Sequence, residues 1–251
     1  MESKVLSSQE IRRYQKLIAN EQIGLRGQEK IKQASVLVIG AGCLGSPVLM
    51  YLTALGIGTI GILDNDLIEE KNLPGQTLYG SKDLGKQKAI VAKQQLANLN
   101  HNVNFRVHNI CISPKNVVGF CQEYDYVVDA TDNFSSKFLI NDACVILKKN
   151  WVSGTVNNFE GSFAKFDGKN GPTFRCLYNE RKKGKPLNNS TQLGILPGII
   201  GTFLANEVIQ IITGYGKSGI GEVKKINLLE NLFLSEKIDT LPANLSITSI
   251  A

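Results

Sequence analysis

The sequence predicts an α/β fold: a doubly wound sheet, mostly parallel, with a C-terminal antiparallel extension. Three observations predict it. Short β-branched runs alternate with longer helical runs from Val36 to Val156, the pattern of successive βαβ units. The first run ends in Gly40-Ala41-Gly42-Cys43-Leu44-Gly45, a G-x-G-x-x-G turn, and Asp64 lies 19 residues beyond the last glycine. After Val156 the chain changes to short segments that read as antiparallel strands.

Each element follows from local pattern. Residues 8–17, with Ser8 as the N-cap, read as a short amphipathic helix, and 28–33 as a second helical piece ahead of the sheet. Strand 36–39 is apolar throughout, as a strand buried on both faces must be. Helix Gly45–Leu55 ends at Gly56, and strand Thr59–Leu63, helix 86–99, strand 103–107 and helix 114–122 follow. Strand Tyr126–Asp129, helix 136–147 and strand 151–156 complete the alternation. Residues 159–166 look antiparallel, and 168–190 form a polar segment rich in Gly, Lys and Asn, whose length alone suggests a functional or mobile crossing segment. The apolar run 197–213 is a helix with Pro197 in its first turn and Gly214 at its end. Strands 223–229 and Leu232–Lys237 close the extension.

The Rossmann-like first unit carries the chemistry. Glycines at 40 and 42 let backbone approach a phosphate chain, the following helix offers free N–H groups and a positive dipole end, and Asp64 at the next strand tip can take a ribose hydroxyl. A glycine turn that serves only packing is the alternative. Beyond Asp64-Asn65-Asp66 stand Asn72 and Gln76, neutral side chains able to address phosphate oxygens. Lys86 and Lys88 open the next helix, where a lysine either neutralises phosphate or sits on a solvated face. In VVDATDN, Asp132 follows the fourth strand, placed either to hold Mg²⁺ or, like Asn133, to cap a helix. Together these describe a pocket for a nucleoside triphosphate with magnesium more readily than one for a nicotinamide dinucleotide.

Composition narrows the class. The chain has 251 residues, 43% of them hydrophobic, enough for one substantial core. Its net charge of +6 comes from dispersed basic residues, apart from the stretch 169–185, which argues against nucleic acid and for an acidic or polyphosphate partner. The charged start lacks an apolar leader, and no run is expected to approach the length of a bilayer span. Five scattered cysteines (Cys43, Cys111, Cys121, Cys144, Cys176) suit reduced thiols, and the expectation is a soluble cytoplasmic protein.

The series RYQKLI, GQEKIKQASVLVIGAGCLGSPVLMYLTALGIGTIGILDND, NLPGQTLYGSKDLGKQKA, VVDATDNFSSKFLINDAC, VSGTVNNFEG and LPGIIGTFLANEVIQIITG resembles the ThiF/MoeB/HesA family, bacterial relatives of ubiquitin-activating enzymes, from about residue 8 to 237. The resemblance implies a single adenylyltransferase domain over 1–251, with a nucleotide-binding part at about 30–156 and a carrier-binding and crossover part at about 157–240. It implies Mg-ATP as cosubstrate and, as partner, a small ubiquitin-fold sulfur carrier. AMP is attached to the carrier's C-terminal Gly-Gly carboxylate and pyrophosphate leaves. Carried over, Gly40, Gly42, Cys43 and Leu44 lie along the nucleotide, with Asp64 on the ribose and Asp66 next to it. Asn72, Gln76 and Lys88 meet the phosphates, and Asp132 holds magnesium with Asn133 beside it. The resemblance also implies a homodimer in which Arg13 or Lys16 approaches the other subunit's site.

The departures are specific. Gly75 stands before Gln76 where the family's hook motif usually has arginine, and Lys16 stands where the arginine contributed by a partner subunit is usual. Lysine keeps charge without the bidentate fork, and glycine keeps neither. The first zinc pair of many relatives reads Thr173-Phe174-Arg175-Cys176 here, and no cysteine follows, so no zinc site is expected. Cys176 then reads as packing or as a reactive thiol. The crossing stretch 187–194 offers only Ser190 and Thr191 in place of a cysteine. Three readings result: a carrier adenylyltransferase working without zinc or a covalent cysteine step, a weak or silent homologue acting as a nucleotide- or partner-binding scaffold, and a dehydrogenase in which Asn72, Gln76 and Asp132 have no role.

Overall fold

The computed structural model describes residues 5–178 and 193–250. Four parallel pairings run through β1 (Ser35–Ile39), β2 (Thr59–Leu63), β3 (Asn104–His108), β4 (Tyr126–Asp129) and β5 (Asn150–Asn157), and three antiparallel pairings add β6 (Glu160–Asp167), β7 (Glu222–Asn227) and β8 (Leu232–Lys237). The order across the single sheet is β3-β2-β1-β4-β5-β6-β7-β8. Because β1 lies between β2 and β4, the chain winds outward in both directions from it, and a crevice opens beyond the carboxyl ends of β1 and β4. Val36, Leu37 and Val38 are fully buried, since helices cover both faces of β1.

The helices are α1 (Ser8–Arg13), α2 (Gln15–Ile18), α3 (Gly24–Gln33), α4 (Gly45–Leu55), α5 (Lys88–Leu99), α6 (Val117–Gln122), α7 (Phe134–Ile146), α8 (Phe174–Leu177) and α9 (Ile195–Thr213). The expected first helix is two. It breaks at Tyr14, whose buried ring turns inward so that its hydroxyl accepts a hydrogen bond from Asn100 Nδ2 at 2.9 Å. The cap is Ser7 and not Ser8: Ser7 Oγ accepts from Glu10 N, and Glu10 returns the contact to Ser7 N. Helix α5 begins at Lys88, two residues inside the expected start, because the Leu67–Gln87 bridge keeps 86–87 extended. Of the long crossing segment, α8 is described, while Ser190 and Thr191 lie outside the described residues.

Helix α9 corrects one expectation. Its 19 residues are by length and composition long and apolar enough to cross a membrane. Here it is a core helix, packed against α3, α4, β5 and β6, with Leu196, Ile200, Leu204, Ala205 and Val208 buried. Its one acid, Glu207, is buried between Lys165 Nζ at 2.6 Å and Lys224 Nζ at 2.8 Å.

Candidate functional site

Pairing register brings the strand tips into one row: His108 opposite Leu63, Leu63 opposite Ile39, Ile39 opposite Asp129, and Asp129 opposite Ser153. Just beyond that row lies a cavity of about 340 Å³ lined by Gly40, Gly42, Cys43, Leu44, Asp64, Asp66, Asn72, Gln76, Lys88, Asp132 and Asn133. Every residue the sequence placed on the nucleotide within one chain therefore converges on one crevice.

The glycine turn is sterically obligatory. Gly40 has φ +98°, and a Cβ there would lie 2.7 Å from Ala130 O, while a Cβ on Gly45 would lie 2.0 Å from Gly40 O. Two side chains grip the turn at Ala41. Its N–H donates to Asp64 Oδ2 at 2.7 Å, and its carbonyl accepts from the Tyr79 hydroxyl at 2.8 Å. Asp64 Oδ1 also accepts from Asp66 N at 2.8 Å, so this carboxylate braces the turn as well as facing the cavity. Burial raises the Asp64 pKa above the usual carboxylate value, against the opposing pull of the Ala41 N–H and Lys88. The first turn of α4 carries no side-chain cap, so its positive end faces the crevice.

Lys88 is not a solvated helix-face charge. It is 5% exposed, and its Nζ lies 2.8 Å from Asp66 Oδ2, which holds the cation at the cavity wall. Asp66 is thus the partner of Lys88. Gln76 is buried, and its side-chain oxygen has no hydrogen-bond partner among the described residues. Its amide faces the Cys43 sulfur; burial raises the Cys43 thiol pKa, opposed by this contact and by Lys88.

On the far wall Asn133, not Asp132, is the cap of α7, its Oδ1 accepting from Ser136 N at 2.8 Å. Asp132 is exposed at the rim. Beneath them Asp129 accepts from Thr131 N at 3.0 Å, Thr131 Oγ1 at 2.6 Å and Ser153 Oγ at 2.6 Å. Lys137, with no exposed surface, pairs with Asp129 at 3.2 Å and donates to Gly154 O at 2.7 Å.

These residues fit a nucleoside triphosphate. An uncapped helix start, a buried lysine and an orphaned buried amide oxygen are groups that a polar ligand satisfies. For magnesium, Asp132 supplies a carboxylate at the rim. Among the described residues no cluster of three or more His, Cys, Asp or Glu surrounds a metal position, so the ion's remaining ligands would be phosphate oxygens and water.

Lys16 is not brought to this cavity. It is exposed on α2, and nearby Arg13 donates to Leu99 O. Cys176 is distant as well, held by Thr173 N at 3.4 Å, Leu241 N at 3.4 Å and Asn244 Nδ2 at 3.5 Å. Sequence reasoning missed Ile110, Cys111 and Ile112, which also line the cavity. They follow β3, and the rule that ligands gather at parallel strand ends was the available signal. Nothing local pointed to Tyr79.

The family model described as "ThiF family" matches residues 14–244. The chain is 41% identical over 236 residues to the "Probable molybdopterin-synthase adenylyltransferase" of Porphyra purpurea, a match covering 92% of this chain and 62% of that protein. It is 37% identical over 235 residues to the "Sulfur carrier protein adenylyltransferase" of Thermus thermophilus, covering 90% of this chain and 87% of that protein. The chain thus spans less than two thirds of the first of these relatives and most of the second. In fold it is similar to E. coli MccB solved with ATP, at a TM-score of 0.81 and 24% identity, covering 99% of this chain and 77% of that one.

Proposed function

We propose, from the premise that this chain belongs to the ThiF family, that it is an ATP-dependent adenylyltransferase acting on the C-terminal Gly-Gly carboxylate of a ubiquitin-fold sulfur carrier. The carrier carboxylate oxygen attacks the α-phosphorus, the bond from that phosphorus to the pyrophosphate oxygen breaks, and acyl-adenylate and pyrophosphate result. The protein supplies no nucleophile. Its contribution is alignment and charge neutralisation. The α4 N-terminus and glycine turn hold the phosphate chain, Asp64 orients the ribose, Lys88 and the Gln76 and Asn72 amides meet phosphate oxygens, and Asp132 holds Mg²⁺. The ion supplies charge neutralisation at the phosphates when bound.

One observation carries this reading: the convergence of Asp64, Asn72, Gln76, Lys88 and Asp132 on a single cavity at the β1/β4 crevice. A nicotinamide dinucleotide leaves Asn72, Gln76 and Asp132 without a task. The named activities of the Porphyra and Thermus relatives support the same class. A homodimer belongs to the proposal, with Lys16 or Arg13 reaching the second subunit's cavity, and so does a reducing cytoplasmic setting, in keeping with five free cysteines. Neither membrane nor nucleic acid enters it.

The test is mass spectrometry of Gly-Gly-ended carrier candidates incubated with the protein and Mg-ATP, alongside ATP–pyrophosphate exchange. We expect a carrier heavier by one AMP and exchange that falls by roughly 100-fold or more in Asp132→Ala. A native exchange rate equal to that of Asp132→Ala, with the cognate carrier present, overturns the enzymatic reading in favour of a scaffold.

A further inference from the structure

At Gly75 the obstacle to a side chain is one neighbouring side-chain atom and not the backbone conformation. The φ here is outside the left-handed region, yet a Cβ at this position would lie 2.7 Å from Cys43 Sγ and 3.6 Å from Gly194 Cα. Gly194, the residue that opens α9, closes the other side: a Cβ there would lie 2.4 Å from Pro74 O and 2.9 Å from Gly75 Cα. The loop around 74–75 is therefore clamped between the Cys43 thiol and the start of α9. The Gln76 amide, one residue along the same loop, faces the thiol.

We infer that Cys43 is a positioning residue whose thiol excludes a side chain from position 75, so that the two positions act as one coupled unit beside the phosphate end of the cavity. Resting on the nucleotide reading above, this has a consequence for charge. The loop that carries Asn72 and Gln76 contributes neutral amides only, and the buried cation at that wall is Lys88. A cationic side chain at 75 reaches the same region only when the Cys43 thiol is removed.

A four-variant cycle tests this: Gly75→Arg, Cys43→Gly, the double variant and the native chain, each titrated with Mg-ATP by calorimetry. Arginine is chosen because its planar fork binds phosphate oxygens in pairs. In the native background Gly75→Arg should weaken Mg-ATP binding about tenfold, whereas measured from Cys43→Gly as its reference the same arginine should no longer weaken it, and the double variant should bind about tenfold tighter than Gly75→Arg alone. Thermal unfolding supplies a readout free of nucleotide. Gly75→Ala, which adds only the Cβ, should lower the Tm with Cys43 present and leave it unchanged when combined with Cys43→Gly. Equal Gly75→Ala effects in both backgrounds overturn the coupling, whatever the nucleotide does. Coupled Tm shifts in a chain that fails to bind Mg-ATP uphold the coupling and overturn the nucleotide reading instead.

Discussion

Lys137 has no exposed surface, and it is the cation that balances Asp129, the carboxylate from which Thr131 hangs by two hydrogen bonds. Removing one member of a buried ion pair leaves a charge without compensation, a loss of about 3–5 kcal/mol. Lys137→Met should therefore lower unfolding stability by about that amount in a denaturant titration, and a change under about 1 kcal/mol would show that the pair is replaceable. Cys176 is a second residue with a measurable signature. Burial raises its pKa, but hydrogen bonds from Thr173, Leu241 and Asn244 together outweigh burial and leave the thiol below its ordinary value of 9.0. A folded pKa below the unfolded one means that the stabilisation is present above 9.0 and is lost as pH falls through the lowered value. The Tm advantage of the native chain over Cys176→Ser should thus grow as pH rises from about 7 to about 9.5, and a constant difference would dismiss the thiolate. The structure accordingly gives Cys176 a role between inert packing and catalysis: it fastens the turn Pro242–Leu245 to the start of α8.

Among the elements, α9 combines a long apolar run with a buried carboxylate. Glu207 faces Lys165 and Lys224, which come from β6 and β7, so one side chain ties the helix to both antiparallel strands. Glu207→Gln should destabilise the fold by about 3–5 kcal/mol, since Lys165 is as buried as its partner, and thermal unfolding measures it. A variant as stable as the native chain would mean that these lysines find other acceptors. This pairing was not legible in the sequence, because nothing local links 165, 207 and 224. What was legible depended on short-range physics. The alternation of β-branched and helical runs gave the five parallel strands, the short segments after Val156 gave the three antiparallel ones, and the acid after the glycine turn gave Asp64. Element ends were less legible where tertiary contacts set them: Tyr14, turned inward to Asn100, splits the first helix, and the Leu67–Gln87 bridge delays α5. In the site, residues on the G-x-G-x-x-G unit and its hook were readable because their spacing is local. Tyr79 and the Cys43–Gly75 contact were not, since both depend on how separate loops meet.

At the scale of the whole molecule, the described residues leave an apolar groove between α4 and α9 uncovered, lined by Met50, Tyr51, Ile195, Ile199 and Phe203. Ile195 is 63% exposed and Tyr51 49%, more than isolated surface apolar residues require. We expect light scattering at micromolar concentration to give a dimer, and Ile195→Lys to shift it toward monomer; a monomeric native chain would remove the homodimer from the proposal. The packing of α9 on α3 and α4 also dictates a schedule for biosynthesis. The stretch from Leu55 to Ile195 separates helices that share one core cluster, so a nascent chain carries an incomplete apolar surface while those 140 residues (195 minus 55) are being added. At roughly 5–20 residues per second this exposure lasts on the order of ten seconds, a window in which chaperones and aggregation compete for the chain. A ribosome stalled before Ile195 should hold a chain that is protease-sensitive throughout its first half, although every residue of the glycine turn has already emerged.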